Sequence, residues 1–299
     1  MASSSNPAFS NPAFQEQRPG LTPPAAQTQF GTASAQSVDI ATQAQMEGAY
    51  ASPAAGSVET GRMTVEDTVI KTLALFGILL VTAVVGWIWT MSGVTADNPT
   101  GVNMAPWIIG MLGGFVLSMV VIFTSRKKIR PALIFGYAAF EGLFIGGISA
   151  YFEFIWPGIV LQATIATLSV VGVTLALFAS GKVRASKKAT KVFMIAMVGY
   201  LVFSLLNLVL MWTNVLPAEQ TFGLYSATTA GIPLGLIIGV LVVIMAAYSL
   251  VLDFDQIQQG VRNGAPRQFG WLGAFGIMVT VVWLYVEILR MIAIVRGSN

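Results

Sequence analysis

The feature that most constrains this chain is a series of seven apolar segments, each long enough to cross a bilayer's hydrocarbon core of roughly 30 Å. Only 10% of the 299 residues are charged, against roughly 25% in a typical soluble domain, and the mean hydropathy is +0.75. A soluble protein of this length could not bury so much apolar surface. We therefore predict an all-α polytopic membrane protein with spans at Thr68–Met91, Trp107–Phe123, Pro131–Phe152, Pro157–Ala179, Lys191–Trp212, Tyr225–Leu252 and Trp271–Val295.

The basic residues alternate between loops, which predicts the orientation. Loops 92–106, 153–156 and 213–224 contain no Lys or Arg. By the positive-inside rule the other loops and the N-terminus are cytoplasmic. Seven spans then put the C-terminus outside, unless the last segment re-enters the membrane and returns Arg296 to the cytoplasm; the sequence leaves both open. The basic loop residues are Arg126, Lys127, Lys128, Arg130, Lys182, Arg184, Lys187, Lys188, Arg262 and Arg267.

Residues 1–62 differ in composition from the rest of the chain, being rich in Ala, Ser, Gln, Pro and Gly. Such a composition cannot bury enough apolar surface to order the chain, so we predict a disordered cytoplasmic tail before a transmembrane domain at 63–299. Within the tail, Ser5–Phe9 is repeated as Ser10–Phe14, each copy containing Asn-Pro-Ala-Phe. The repeat is either a short motif for a protein partner or part of a spacer. Thr64 is expected to cap the first helix.

The composition also restricts the chemistry. The chain has neither cysteine nor histidine, which excludes disulfides and thiol catalysis and removes the usual ligands of zinc and the usual pH sensor. Proton chemistry must therefore use carboxylates. A net charge of +3 is too small to indicate nucleic-acid binding. No Gly-x-Ser-x-Gly or Walker-type motif is present, so neither an enzyme nor a cofactor is expected.

Ionisable residues inside the predicted spans are the candidate functional residues. A charged side chain at a helix centre costs roughly 2.5–3.5 kcal/mol on insertion scales. Glu141 lies mid-helix in the third span, and Asp253 and Asp255 follow the sixth. The two aspartates point about 200° apart on a helix, so only one can face the interior, and Asp253 continues the apolar run. Glu287 and Arg290 lie in the seventh span.

Glu287 has two candidate partners. It shares a helix face with Arg290, three residues later, and the two could neutralise each other. Alternatively, Glu287 faces Asp253, in which case the two carboxylates would share one hydrogen ion near neutral pH. Pro233 is expected to bend the sixth helix. Close helix packing is predicted at Gly110 and Gly114, Gly142 and Gly146, and Gly231, Gly235 and Gly239.

Several stretches resemble the Bax inhibitor-1 family, most closely its bacterial YccA-like branch, over about residues 64–296. The stretches are Tyr248–Ile257 (YSLVLDFDQI), Leu284–Glu287 (LYVE), Tyr137–Gly142 (YAAFEG) and Arg126 after the second span.

The resemblance implies a fold of six helices around a central seventh and a pH-sensitive calcium-leak channel in the bacterial plasma membrane. It implies that Asp253 and Glu287 form the proton-sharing pair, which makes both candidate calcium ligands, and that Arg126 latches to them in the closed state. Position 287 is Glu where the family usually has Asp. Glu141 either lines the path or is a structural acid, and Asp255 is expected to meet water at the cytoplasmic mouth.

Two other functional classes fit the same sequence. A proton-coupled secondary transporter would also use buried carboxylates and a bent helix. A non-transporting scaffold or protease modulator would use residues 1–62 to hold a partner. Saturable, gradient-driven uptake would indicate the transporter, and partners lost with the tail would indicate the scaffold.

Overall fold

The computed structural model describes residues 61–213, 215–216, 222–229 and 231–297. Within them, seven helices are long and apolar enough to cross a membrane, which confirms the predicted fold class. The ends of six helices lie within a few residues of the predicted spans, whereas the ends of the sixth helix do not. The helices are α1 Val65–Met91, α2 Ala105–Ser125, α3 Pro131–Ile155, α4 Ile159–Ala179, α5 Lys187–Trp212, α6 Leu234–Arg262 and α7 Phe269–Gly297.

Hydroxyl caps set the start of two helices. The Thr64 hydroxyl accepts a 3.1 Å hydrogen bond from the Asp67 amide, which confirms the predicted cap of α1. The Ser186 hydroxyl accepts from the Ala189 amide at 3.2 Å in the same way. Helix α5 therefore begins at Lys187, before the apolar run that marked it in the sequence. The capping residue, rather than hydropathy, fixes this boundary.

The sixth helix was predicted wrongly at both ends, and Pro233 precedes this helix instead of bending it. Tyr225 lies in a short 3₁₀ turn, Gly223–Ser226, which is followed by the paired strands β1 Thr228–Thr229 and β2 Ile232–Pro233. Helix α6 starts directly after Pro233. Because proline lacks an amide hydrogen and its φ is fixed, it suits this position without distorting the helix. Gly231 precedes the helix, so it does not belong to the predicted glycine row.

Glycines on α2 and α3 bring three helices into close contact. A Cβ on Gly142 would lie 2.3 Å from the Leu79 carbonyl oxygen, and one on Gly146 would lie 2.0 Å from that of Ala83. On the other side of α3, a Cβ on Gly110 would lie 2.3 Å from the Phe144 amide nitrogen. These sites confirm the predicted small-residue packing of α3 between α1 and α2.

Helix α7 is the most buried helix, with sixteen buried residues. It packs against α1, α3, α4 and α6, and Trp283 contacts Tyr200 of α5. Its N-terminus adjoins α1, since Arg267 pairs with Asp67, and its C-terminus adjoins the α3–α4 loop, since Arg296 donates to the Pro157 carbonyl at 2.9 Å. The seventh segment is therefore one continuous helix that runs the full length of the bundle, as the central helix of a seven-helix fold should.

Candidate functional site

Asp253 lies inside the contact between α6 and α7. Its side chain is fully buried, with 0% of its surface exposed. The Thr280 hydroxyl of α7 donates a 2.7 Å hydrogen bond to Asp253 Oδ2, and the Ser249 hydroxyl lies 3.4 Å from that of Thr280. Since α6 and α7 form an antiparallel hairpin, residues on their facing sides meet in this way. The hydroxyls offset part of the cost of burying a polar carboxyl.

Asp255 differs from Asp253 in its surroundings. It is half-buried and accepts a 2.7 Å hydrogen bond from Gln259 Nε2 on its own helix. The expectation that Asp253 is the buried member of the two is confirmed, because the helical geometry turns Asp255 to another face.

Glu287 lies on α7 and is 5% exposed. Arg290 Nη2 lies 2.5 Å from Glu287 Oε2, and the Tyr200 hydroxyl of α5 donates to Oε1. The Arg290 guanidinium also stacks over the ring of Tyr225, 3.9 Å from its centroid. The pairing of Glu287 with Arg290, one of the two possibilities in the sequence, is therefore formed. The cluster links α5, α7 and the 3₁₀ turn.

The two acids have different partners at different depths of the bundle. Asp253 contacts Thr280, which precedes Glu287 by seven residues on α7. Seven residues are about two helical turns, or roughly 10 Å of rise. The structure thus brings Asp253 to Thr280 and Glu287 to Arg290 and Tyr200. A hydrogen ion shared by Asp253 and Glu287 remains a prediction.

Arg126 and Glu141 were the other candidates. Arg126 follows the end of α2, and its side chain is exposed, so its latch role also remains a prediction. Glu141 is half-buried on α3 and hydrogen-bonds Tyr137. A Cβ on Gly114 would lie 2.9 Å from Glu141 Oε2, which places this carboxyl in the close contact between α2 and α3.

A charged cluster at the start of α1 was missed in the sequence. Asp67 pairs with Lys71 and accepts from Arg267, whose Nη2 and Nε lie 3.0 Å and 3.1 Å from Oδ1. Lys71 also donates to the Arg267 carbonyl at 2.7 Å. The available signal was a lysine inside the first predicted span with an acid four residues earlier. We call Asp67, Lys71 and Arg267 the α1–α7 clasp.

Backbone pairing strengthens the clasp. The Met63 amide donates to the Ala265 carbonyl at 2.7 Å, and the Arg267 amide donates to the Gly61 carbonyl at 2.9 Å. Met63 itself is 2% exposed and belongs to the apolar cluster that includes Ile257, one turn beyond Asp253. Residues 61 and 62, which the sequence assigned to the tail, are therefore held against the α6–α7 loop. The remainder of the predicted tail, including both Asn-Pro-Ala-Phe repeats, lies outside the described residues.

Among the described residues, no group of three or more acidic side chains is arranged to hold a metal ion. The buried carboxylates instead have hydroxyl, phenol and guanidinium partners. When one of these carboxylates gains a hydrogen ion, it can donate a hydrogen bond to a hydroxyl or phenol oxygen, and it no longer neutralises a guanidinium.

The comparison with known families bears on this arrangement. A family described as Bax inhibitor 1 like matches residues 6–297. The chain belongs to this family. No curated protein and no solved structure matches the chain.

Membership in the Bax inhibitor 1 like family agrees with the resemblance seen in the sequence and corrects its extent. The resemblance was expected to begin near residue 64, but the match begins at residue 6. The N-terminal region, with its two Asn-Pro-Ala-Phe repeats, is therefore part of the family pattern. The resemblance rested on stretches of the helical domain, such as Leu252–Asp255, and therefore did not extend to the N-terminal region.

Proposed function

We propose that this Bax inhibitor 1 like protein is a pH-sensitive cation leak that conducts calcium and is gated by the carboxyl groups of Asp253 and Glu287. The observation that carries the proposal is the burial of both groups, 0% and 5% exposed, on adjacent helices of a membrane bundle. Acids at such positions are costly and usually serve transport or proton transfer. We also propose that the chain belongs to the YccA-like branch, on the resemblance carried by Tyr248–Ile257 together with Leu284–Glu287.

In this proposal, Arg290 closes the path at Glu287. Its guanidinium already supplies the positive charge that a permeating cation would bring to the carboxylate. A hydrogen ion on Glu287 would remove the negative charge and break its ion pair with Arg290. The Arg290 guanidinium would then stay stacked over the ring of Tyr225. Tyr200 then loses a charged acceptor, and α5 is free to separate from α7.

Asp253 would form the second point of control. The oxygen atoms near it include those of Thr280 and Ser249. Gln256 lies three residues later on the same helix face, is buried, and among the described residues has no hydrogen-bond partner for its Oε1. Calcium prefers carboxylate, carbonyl and other oxygen ligands, so this group could bind a calcium ion in transit. The cation is the transported substrate here.

The shared hydrogen ion and the Arg126 latch belong to another conformation in this proposal. Sharing requires Asp253 and Glu287 to approach within hydrogen-bond reach, roughly 2.5–3 Å, from positions about two helical turns apart along α7. A displacement of α6 along α7, with Arg126 moving inward, would be needed. A cytoplasmic N-terminus is proposed on the alternation of basic loops, and a bacterial plasma membrane on the resemblance to the YccA-like branch.

The test is calcium efflux from proteoliposomes over a range of pH. Asp253→Asn and Glu287→Gln should each lose the pH dependence of the wild-type protein, because their carboxyls can no longer titrate. Asp255→Asn is the matched control, since this acid is half-buried and pairs with Gln259. If both buried-site variants keep the wild-type pH dependence, the proposal is wrong.

The transporter alternative has lost one of its supporting features. It rested on buried carboxylates and a bent sixth helix, and Pro233 precedes that helix rather than bending it. Saturable uptake of a solute driven by a proton gradient would still favour it over a leak. The scaffold alternative predicts that the carboxyl variants retain function, whereas deletion of residues 1–60 abolishes partner binding.

A further inference from the structure

A cleft of about 630 Å³ lies between α1 and α4, with α3 and α7 beneath it. Both α1 and α4 pack on α7, but they diverge and leave the cleft between them. Its mouth is formed by Leu80, Val84 and Leu168, which are 62%, 59% and 64% exposed. All four helices belong to the candidate membrane spans, so the mouth faces the lipid.

The hydroxyl groups that line the cleft are already hydrogen-bonded. Thr164 and Thr167 donate to carbonyls of their own helix at 2.8 Å and 2.7 Å. At the floor, the hydroxyls of Ser149 and Tyr285 are hydrogen-bonded to each other at 2.7 Å. Apart from the indole of Trp87 at one end of the cleft, water or a polar ligand would find few hydrogen-bond partners among these described residues. The chemistry of the lining therefore selects hydrocarbon.

The size of the cleft is that of a small-ligand site. Along α1 it extends from Phe76 to Trp87, which is about 16 Å of helix. A volume of about 630 Å³ lies within the usual range of small-ligand sites, roughly 300–1,000 Å³. Because the mouth faces the lipid, the hydrocarbon chain of a membrane lipid is the ligand that can reach it.

We propose that the cleft between α1 and α4 is a binding site for one acyl chain of a membrane phospholipid. The chain lies on Val282 and Tyr285 of α7, the helix that carries Glu287 two residues further on. The acyl chain fills the cleft, so that the side chains lining it make van der Waals contacts. Gly146 at the deep side, where α1 and α3 touch, marks the limit of its penetration.

The test uses the full-length protein in nanodiscs that contain a phospholipid with a photoreactive diazirine in its acyl chain. After irradiation, labelled peptides are quantified by mass spectrometry. Labelling of cleft residues on α1 and α4 should saturate and be competed by excess unlabelled phospholipid. Labelling of exposed residues on α5, such as Leu201, should not saturate.

Two adjacent substitutions on α4 provide the matched comparison. Thr164→Trp places a large ring in the cleft, whereas Ile165→Trp places it on a lipid-exposed face outside the lining. Thr164→Trp should reduce cleft labelling several-fold, and Ile165→Trp should leave it unchanged; both positions are exposed, so both variants should fold. Equal labelling of the two variants, non-saturating labelling of the cleft, labelling by a photoreactive free fatty acid alone, or cross-linking to a second copy would each overturn the proposal.

Discussion

The hydroxyl of Thr280 donates a 2.7 Å hydrogen bond to the fully buried carboxyl of Asp253. This contact joins α6 and α7 at the depth of Asp253 in the bundle. In this register Asp253 contacts α7 at Thr280, seven residues before Glu287. The surroundings of the Asp253 carboxyl therefore depend on how α6 packs against α7.

Thr280→Val removes this hydroxyl while keeping the side-chain shape. Asp253 would lose a hydrogen bond in a buried setting, which should destabilise the protein by about 1–3 kcal/mol. Thermal unfolding in detergent measures the effect. Thr124→Val is the control, because that half-buried threonine donates to the Val120 carbonyl of its own helix and not to a buried acid. Equal unfolding temperatures for the two variants would contradict the assigned role of Thr280.

Arg290→Gln removes the charge that neutralises Glu287. The leak of calcium at neutral pH should rise roughly fivefold or more, the lower end of a coupling of about 1–3 kcal/mol. Arg296→Gln is the control, since Arg296 donates to a backbone carbonyl at the end of α7. Combining Arg290→Gln with Glu287→Gln should leave the leak high at neutral pH and independent of pH, because neither the charge on Glu287 nor the guanidinium that closes the path remains. An unchanged leak in the single variant would show that Arg290 does not block the path.

The α1–α7 clasp should contribute to stability. Asp67→Asn leaves the buried Lys71 and the nearby Arg267 without a negative partner, and we expect a loss of about 1–3 kcal/mol. Arg267→Gln should cost less, because its side chain is 44% exposed and solvent screens the pair. Hydrogen exchange at the Met63 amide reports the local effect. The control is Glu66→Gln, an exposed acid on the same turn; a loss of protection in that variant, or none in Asp67→Asn, would contradict this account.

The contact between α1 and α3 should tolerate no side chain at Gly142. An added Cβ would lie 1.9 Å from Thr82 Oγ1 and 2.3 Å from the Leu79 carbonyl. Gly142→Ala should therefore destabilise the bundle by about 1–3 kcal/mol, the usual cost of overpacking. Gly77→Ala, which has open space around it, should be neutral or slightly stabilising. If Gly142→Ala unfolds at a higher temperature than Gly77→Ala, then α1 and α3 can separate easily at Gly142.

Much of the fold could be predicted because the bilayer imposes long apolar helices whatever their contacts. The cap at Thr64 and the glycine contacts of Gly142 and Gly146 followed from local chemistry and spacing. The start of α6 did not, because a proline is compatible both with the start of a helix and with a kink inside one. Hydropathy alone therefore extended the helix back through Pro233 into a turn.

The candidate site was predicted residue by residue but not contact by contact. The burial of Asp253 followed from the apolar run before it, and the proximity of Glu287 to Arg290 followed from helix geometry. The pairing of Asp253 with Thr280 depends on the register between two helices, which a single sequence does not encode locally. The clasp was missed because Arg267 lies two hundred residues from Asp67, so only the fold brings them together.

Loss of charge on the two buried acids, Asp253 and Glu287, is expected to open the leak. Infrared difference spectroscopy of protein with ¹³C-labelled carboxyl groups, assigned with Asp253→Asn and Glu287→Gln, follows the protonated carboxyl band as pH falls. Calcium efflux is measured on the same samples. We predict that the band of at least one of the two acids grows over the same pH interval in which efflux changes. A change in efflux while both acids stay ionised would contradict the account.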